Sequence, residues 1–261
     1  MSRPREYIHL QVEEKIAVVT LDRPPVNALN AQLQAELSDA FEEIRTMNHV
    51  GAVIITGGGE KAFMAGADIN LFSEMGSEEA LKMSESTQSV FNMIQSFEKV
   101  VIAAVGGLAL GGGCELALAC DMRVADETAF FGFPEVSLSL FPGAGGTQRL
   151  SRLVGTGKAK ELILTGDPIG ATEAKNIGLI ERLASEGDAV TEAKKIAKRI
   201  LMRGPVAVAK AKEAIDKGIN LPFKEGLKIE ARLFSELFRT MDCKEGINAF
   251  IEKRKPKFAG R

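Results

Sequence analysis

From Val100 to Cys120 every side chain is Val, Ile, Leu, Ala, Gly or Cys except one, Glu115. A run this apolar must be covered on all sides by something other than water. It has the length of a membrane span, but Gly106, Gly107, Gly111, Gly112, Gly113 and the single carboxylate argue against exposure to lipid. The remaining solution is a protein core, entered as the strand "VVIAAV" and left, after a glycine-rich turn, as the helix "CELALAC". A carboxylate taken out of water without partners costs several kcal/mol or has its pKa driven up. Glu115 is therefore either solvated or chemically employed.

The same alternation precedes this run. "YIHLQV" and "IAVVTL" read as two strands of a hairpin, Leu33, Leu37, Phe41 and Ile44 follow helical spacing behind an Asn30 N-cap, and "AVIITG" returns as a buried strand. "GGGEKAFMAGADIN" reads as a loop, followed by a helical pattern ending near Phe97. Strand and helix in alternation predict an α/β protein with glycine-rich corners at residues 64–70 and 106–115, where such folds bind ligands. From about Gly155 the pattern reads as almost wholly helical. Within it, Phe223, Leu227, Ile229, Ala231, Leu233, Phe234, Leu237 and Phe238 cover most of a helix circumference, which predicts burial on several sides and a subunit interface.

Composition excludes several classes of function. A chain of 261 residues that is 45% hydrophobic can fill a substantial core, and its net charge of −2 provides no general field for nucleic acid or an anionic membrane. Cys114, Cys120 and Cys243 lack CxxC spacing and have only His9 and His49 for company, so buried, reduced thiols are expected and no metal site. The N-terminal "MSRPREYIHLQVEEK" has no apolar signal core, and a cytoplasmic location is the expectation. "GAGGTQ" puts Gln148 where a dinucleotide fingerprint needs glycine. "GTGKAK" puts Arg152 and Ala159 where a P-loop needs Gly and Ser/Thr, so both nucleotide readings fail.

Glycine before a helix can instead bare backbone N–H groups to a ligand oxygen, although close helix packing explains glycine equally well. A second carboxylate, Glu135 in "FFGFPEVSLSLFPGAGGTQRL", also sits among apolar residues. Two such groups can have their pKa values set apart by environment, giving a base and an acid around one bound water.

"KAFMAGADI", "GGLALGGGCELALACDMRVA", "FGFPEV" and "PGAGGTQRL" together resemble the enoyl-CoA hydratase/isomerase (crotonase) superfamily, and within it the short-chain enoyl-CoA hydratases. The resemblance extends to the closing "KEGINAFIEKRKPKF". It implies a crotonase-like α/β spiral of ββα units over residues 1–200 and a C-terminal helical trimerisation region over 201–261, assembled as a homotrimer or homohexamer. It implies an oxyanion hole from the backbone N–H groups of Ala67 and Gly112, and catalytic carboxylates at Glu115 and Glu135. CoA contacts would fall on Ala65, Gly66, Ala67, Asp68, Ile69 and Gly112, with the adenine near Ala65 and Ala67. Asp68 also reads as the N-cap of the next helix, which is the preferred reading.

The implied reaction is syn addition of water to a 2-trans-enoyl-CoA, with no cofactor beyond the CoA of the substrate and neither nucleic acid nor membrane as partner. Asn70 stands where many hydratases carry Lys, and Phe133 where many carry a polar residue, which bears on one CoA contact and on acyl-pocket shape. The alternatives are an enoyl-CoA isomerase, a hydratase specialised for branched or aromatic acyl groups, and a non-catalytic or RNA-binding relative. Isomerases of the superfamily commonly keep only the carboxylate matching Glu135, so Glu115 speaks against the first. The basic cluster Lys253, Arg254, Lys255 and Lys257 reads as a solvated terminus, or as phosphate contacts to CoA bound by a neighbouring subunit.

Overall fold

A computed structural model describes residues 5–68, 73 and 75–261; Ile69 and Asn70 lie outside the described residues. β1 (Ile8–Glu13) and β2 (Ile16–Leu21) form the expected antiparallel hairpin, turning through Glu14 and Lys15 at φ of 48° and 68°. α1 (Ala31–Thr46) starts where Asn30 Oδ1 accepts the Leu33 amide at 2.8 Å, and it buries Leu33, Leu37, Ala40, Phe41 and Ile44. β3 (Ala52–Gly57), β4 (Ala62–Ala65) and α2 (Ser77–Gln95) come next, then β5 (Val100–Val105), β6 (Leu108–Leu110) and α3 (Gly112–Ala119). β7 (Met122–Asp126) and β8 (Phe130–Gly132) lead through a 3-10 turn at Pro134–Leu138 into α4 (Gly146–Val154) and α5 (Thr156–Thr165).

The chain alternates between two sheets. With β9 (Ile169–Gly170) and β10 (Arg182–Ala184) further along the chain, β3, β5 and β7 lie side by side in a six-stranded sheet of order β1-β2-β3-β5-β7-β10, while β4, β6 and β8 lie side by side in a four-stranded sheet of order β4-β6-β8-β9. Two strands and a helix therefore repeat as a unit, and the repeat is the spiral. Apart from the β1–β2 and β8–β9 pairs, all neighbours are parallel. β5 is central and buried at every residue, which is why "VVIAAV" has no polar face.

The loop reading of residues 57–70 needs correction, because β4 runs through its middle, and β6 occupies part of what read as a glycine turn. Three or four residues carry too little periodicity to be recognised. The region after Gly155 is likewise interrupted, by β9 (Ile169–Gly170) and β10 (Arg182–Ala184) on either side of α6 (Ala171–Asn176).

α7 (Ala189–Leu201) seats Ala189, Ala193 and Ala197 against Ile54, Ile102 and Val124 of the larger sheet. α8 (Pro205–Gly218) and α9 (Phe223–Leu237) pack on each other, approaching closely at Gly218 and Gly226, before α10 (Met241–Ile251). The predicted burial of the α9 circumference is not achieved within one chain: Leu233 is buried, but Phe223, Phe234 and Phe238 are 80%, 61% and 56% exposed. The reason is position, since α9 has only α8 as a substantial neighbour.

The basic C-terminus is exposed at Lys253, Arg254, Lys255 and Lys257, as expected of a solvated terminus, but its backbone is held in place. Residues 253–261 turn back along α10, whose first amides, on Met241 and Asp242, donate to the Arg261 carbonyl at 2.8 and 3.1 Å. The Asp242 carboxylate accepts the Ala259 and Gly260 amides. Arg254 forms a two-pronged pair with Glu245 and a further pair with Glu252. All three cysteines are free, and burial pushes the Cys114 and Cys120 thiols well above their ordinary range, so both stay protonated. Among the described residues no helix is long and apolar enough to cross a membrane.

Candidate active site

The two glycine-rich corners come together at one end of the spiral. β4 and β6 pair in parallel, and beyond their ends the Gly66 amide donates to the Leu110 carbonyl at 2.8 Å. Leu29 bridges the same corner by donating to Gly66 O and accepting from Asp68 N, each at 3.0 Å. In a parallel bridge of this kind the intervening Ala67 turns its own amide to the opposite side. Buried Asn27 steadies the approach, its side-chain amide donating to the carbonyls of Gly58, Ala62 and Phe63.

α3 begins directly after β6. Gly111, at φ 53° and ψ −120°, makes the corner, so the conformation requires glycine, and a Cβ there, 2.7 Å from Glu135 Oε1, would also push the Glu135 carboxyl aside. Gly112 opens the helix, where an amide has no intrahelical acceptor. A Cβ at Gly112 would have ordinary contacts, 3.9 Å to Leu29 and 4.0 Å to Gly66 O. Glycine at that position keeps the space above the amide open; the backbone does not demand it. Gly113 has the packing reason instead, since a Cβ there would run into the Met64 carbonyl of β4.

Glu115, one turn into α3, is 2% exposed. Its Oε1 accepts the amides of Ala144 at 2.8 Å and Gly146 at 2.7 Å, the second being the first residue of α4. Burial nevertheless dominates and raises its pKa to about 7; the two amides and the Arg149 guanidinium oppose the rise, and the nearby Glu135 carboxylate adds to it. Glu135 sits on the 3-10 turn after Pro134, with its pKa raised by burial. Its Oε2 is enclosed without a hydrogen-bond partner among the described residues. A carboxyl in that state favours the protonated form.

Glu115, Glu135, Ala65, Gly66, Ala67 and Gly112 all line one cavity of about 1460 Å3. Asp68 does not: its carboxylate pairs with Arg23 Nη2 at 2.8 Å, and α2 itself starts at a Gly76 N-cap, while the residues a cap at Asp68 would serve lie outside the described ones. Ile69 and Asn70 fall outside the described residues. Phe133 is 1% exposed and packs behind Gly146, so it backs the α4 terminus and does not shape the cavity wall as expected. The residues that sequence reasoning missed are those around Glu115: Ala144, Gly146, Arg149, Asn92 and Gln95. The one available signal was the Gly-Gly preceding the helical pattern in "GAGGTQRL", a helix start aimed at an anion.

Comparison with known proteins identifies the family of the fold. The family model described as enoyl-CoA hydratase/isomerase matches residues 11–261. A crotonyl-CoA hydratase of Syntrophomonas wolfei is 47% identical over 98% of this chain and 99% of the relative. A short-chain-enoyl-CoA hydratase of Clostridium acetobutylicum is 48% identical over 94% of this chain and 95% of the relative. The crystal structure of an enoyl-CoA hydratase from Bacillus anthracis superposes with a TM-score of 0.94 at 41% identity, covering 98% of this chain and all of that one. With the spiral, the paired corners and a match along nearly its whole length, the chain belongs to the enoyl-CoA hydratase/isomerase family.

Proposed function

We propose that this protein is an enoyl-CoA hydratase that adds water across the double bond of a short 2-trans-enoyl-CoA to give the 3-hydroxyacyl-CoA. The observation that carries this reading is the pair of carboxyl groups of raised pKa lining the same cavity as the Ala67 and Gly112 amides. The two amides donate to the thioester carbonyl oxygen and hold the negative charge that gathers on it, in a site that needs no rearrangement as the charge forms. Glu115, held through Oε1, takes a proton from water as the water oxygen bonds to Cβ. The displaced electron pair moves through Cα to the carbonyl oxygen, giving an enolate, and Glu135 returns a proton to Cα. Both groups act on one face, which makes the addition syn.

CoA lies along Ala65, Gly66 and Ala67, and it is part of the substrate. The exposed apolar side chains of α9 and α10, among them Phe223, Phe234, Phe238 and Phe250, are covered by other copies of the chain in a trimer or a dimer of trimers. Two functional carboxylates favour the hydratase over the isomerase alternative. The test follows loss of the conjugated absorbance of enoyl-CoA thioesters of varied length and branching. Wild type hydrates short straight chains, and Glu115→Gln and Glu135→Gln each lower kcat by about 10²–10⁴ with KM little changed. Ordinary turnover by either folded variant refutes the assignment.

A further inference from the structure

Arg149 stands on α4 one turn beyond the Gly146 amide that holds Glu115, and it lines the same cavity. Each of the three nitrogens of its guanidinium donates a hydrogen bond, in three directions. Nη1 donates to the Ala144 carbonyl at 2.9 Å, Nε to Gln95 Oε1 at 2.9 Å, and Nη2 to Asn92 Oδ1 at 2.6 Å. Asn92 and Gln95 belong to α2, while Ala144 and Gly146 are the two residues whose amides meet at Glu115 Oε1. From the far side of the same loop, Ser84 and Gln88 of α2 bind the Gly143 carbonyl at 2.7 and 2.8 Å.

We propose that Arg149 is a positioning residue for water activation: by tying the 142–146 corner to α2 it fixes the two amides that aim the Glu115 carboxylate. This rests on the hydratase reading for its catalytic consequence, but the cradle is a property of the chain itself. The three acceptors are met by three separate nitrogens of one planar fork, a spread that the single nitrogen of an ammonium does not reproduce.

Arg149 has a second effect on the same group through its charge. Glu115 faces the Glu135 carboxylate from the 3-10 turn, which raises its pKa, and the Arg149 cation from α4, which lowers it. The neighbouring elements add little. The Cys114 thiol on α3 stays protonated, as does Cys120 beside Arg149, and α2 offers Arg149 the neutral Asn92 and Gln95. β4 and β6 carry no titratable side chains. On β7, Arg123 is bound to Glu181 and to carbonyls at the far end of α3, while Asp126 accepts from Thr128 and Gly187. Asp121, just past α3, is paired with Lys212.

The test compares Arg149→Met, Arg149→Lys and the double variant Asn92→Ala/Gln95→Ala, using crotonyl-CoA across pH 5–9. Arg149→Met is expected to lower kcat by about 10- to 100-fold with KM within a factor of about two. The acidic limb of its kcat/KM profile should move up by about one pH unit. Arg149→Lys restores the limb but not kcat, and the double variant lowers kcat with the limb in place. A 13C NMR titration of the Glu115 carboxylate in the same proteins reads its charge without any turnover. A wild type that titrates Glu115 lower than Arg149→Met but hydrates no enoyl-CoA would sink the hydratase reading and leave the Arg149 effect standing. Unchanged kcat and limb in folded Arg149→Met would overturn the proposal. So would a loss confined to thermal stability, or a rise in KM alone, which would make Arg149 a substrate contact. If Arg149→Met does not fold, the Lys and double variants decide by the same criteria.

Discussion

α3 and α9 are both rich in apolar residues, yet one chain buries the first almost entirely and the second hardly at all. In α3 every residue from Gly113 to Ala119 is buried, between β4, β6, β7, α2 and α4. In α9 Leu233 is the buried residue, and the phenylalanines at 223, 234 and 238 face outward. The difference teaches that an apolar pattern states a need for cover without stating what supplies it. It also separates two uses of a charge. Glu115 is enclosed with its pKa raised to about 7, whereas Glu245 near the surface is held down to about 2 by Arg254 and the Lys257 amide.

The contrast is broken most severely at Gly113. Gly113→Val places a side chain against the Met64 carbonyl and should cost more than about 4 kcal/mol, read as loss of folded, soluble protein. A normal thermal midpoint would show that α3 is free to shift on β4.

The next effect comes from the buried charge. The folded pKa of Glu115, about 7, lies above its ordinary value of 4.5, so between those values the native state binds more protons than the unfolded state. Stability tied to this group is therefore full below about 4.5 and is lost as pH rises through about 7. Glu115→Gln keeps an oxygen for the two amides and removes that loss. Urea unfolding should find the variant more stable than wild type at pH 8 by on the order of 1–3 kcal/mol, with the gap closing towards pH 5. An equal gap at both pH values would mean that Glu115 is not held with a raised pKa.

On α9 the expected change in chain stability is smaller. Phe234 and Phe238 touch edge to face at 5.4 Å, but both are mainly exposed. Phe234→Ser/Phe238→Ser should alter the stability of the isolated fold by less than about 1 kcal/mol. If the proposed trimer forms through this face, light scattering should find wild type oligomeric and the same double variant dissociated at micromolar concentration. An unchanged mass would place the interface elsewhere.

The smallest effect belongs to the C-terminal lysines. Arg254 is held by Glu245 and Glu252, and removing residues 253–261 would also strip the carbonyl that caps α10, so point substitution is the cleaner probe. Lys253→Ala/Lys255→Ala/Lys257→Ala should raise KM for an enoyl-CoA by about a factor of two at low salt, with no change at high salt. A KM indifferent to the substitution at low salt would assign these side chains to solvent.

Much of this molecule was legible from the order of its residues. The β1–β2 hairpin, the Asn30 cap, the buried β3 and β5, and the α1 stripe are local, because each depends on periodicity or on a side chain within four residues of the amide it serves. The glycine corners and the suspicious positions of Glu115 and Glu135 were equally visible, since apolar neighbours announce burial. Tertiary structure alone decided the rest. β4, β6 and β8 exist because they pair with one another across long separations, and three or four residues hold no signal of that. Glu115 is fixed by amides 29 and 31 residues away and tied through Arg149 to a helix more than 50 residues earlier in the chain. Asp68 could not be assigned to Arg23, 45 positions earlier, until the spiral brought them together. Hydrogen bonds and ion pairs act over a few ångströms, so a partner distant in sequence is settled only by the fold that closes the distance.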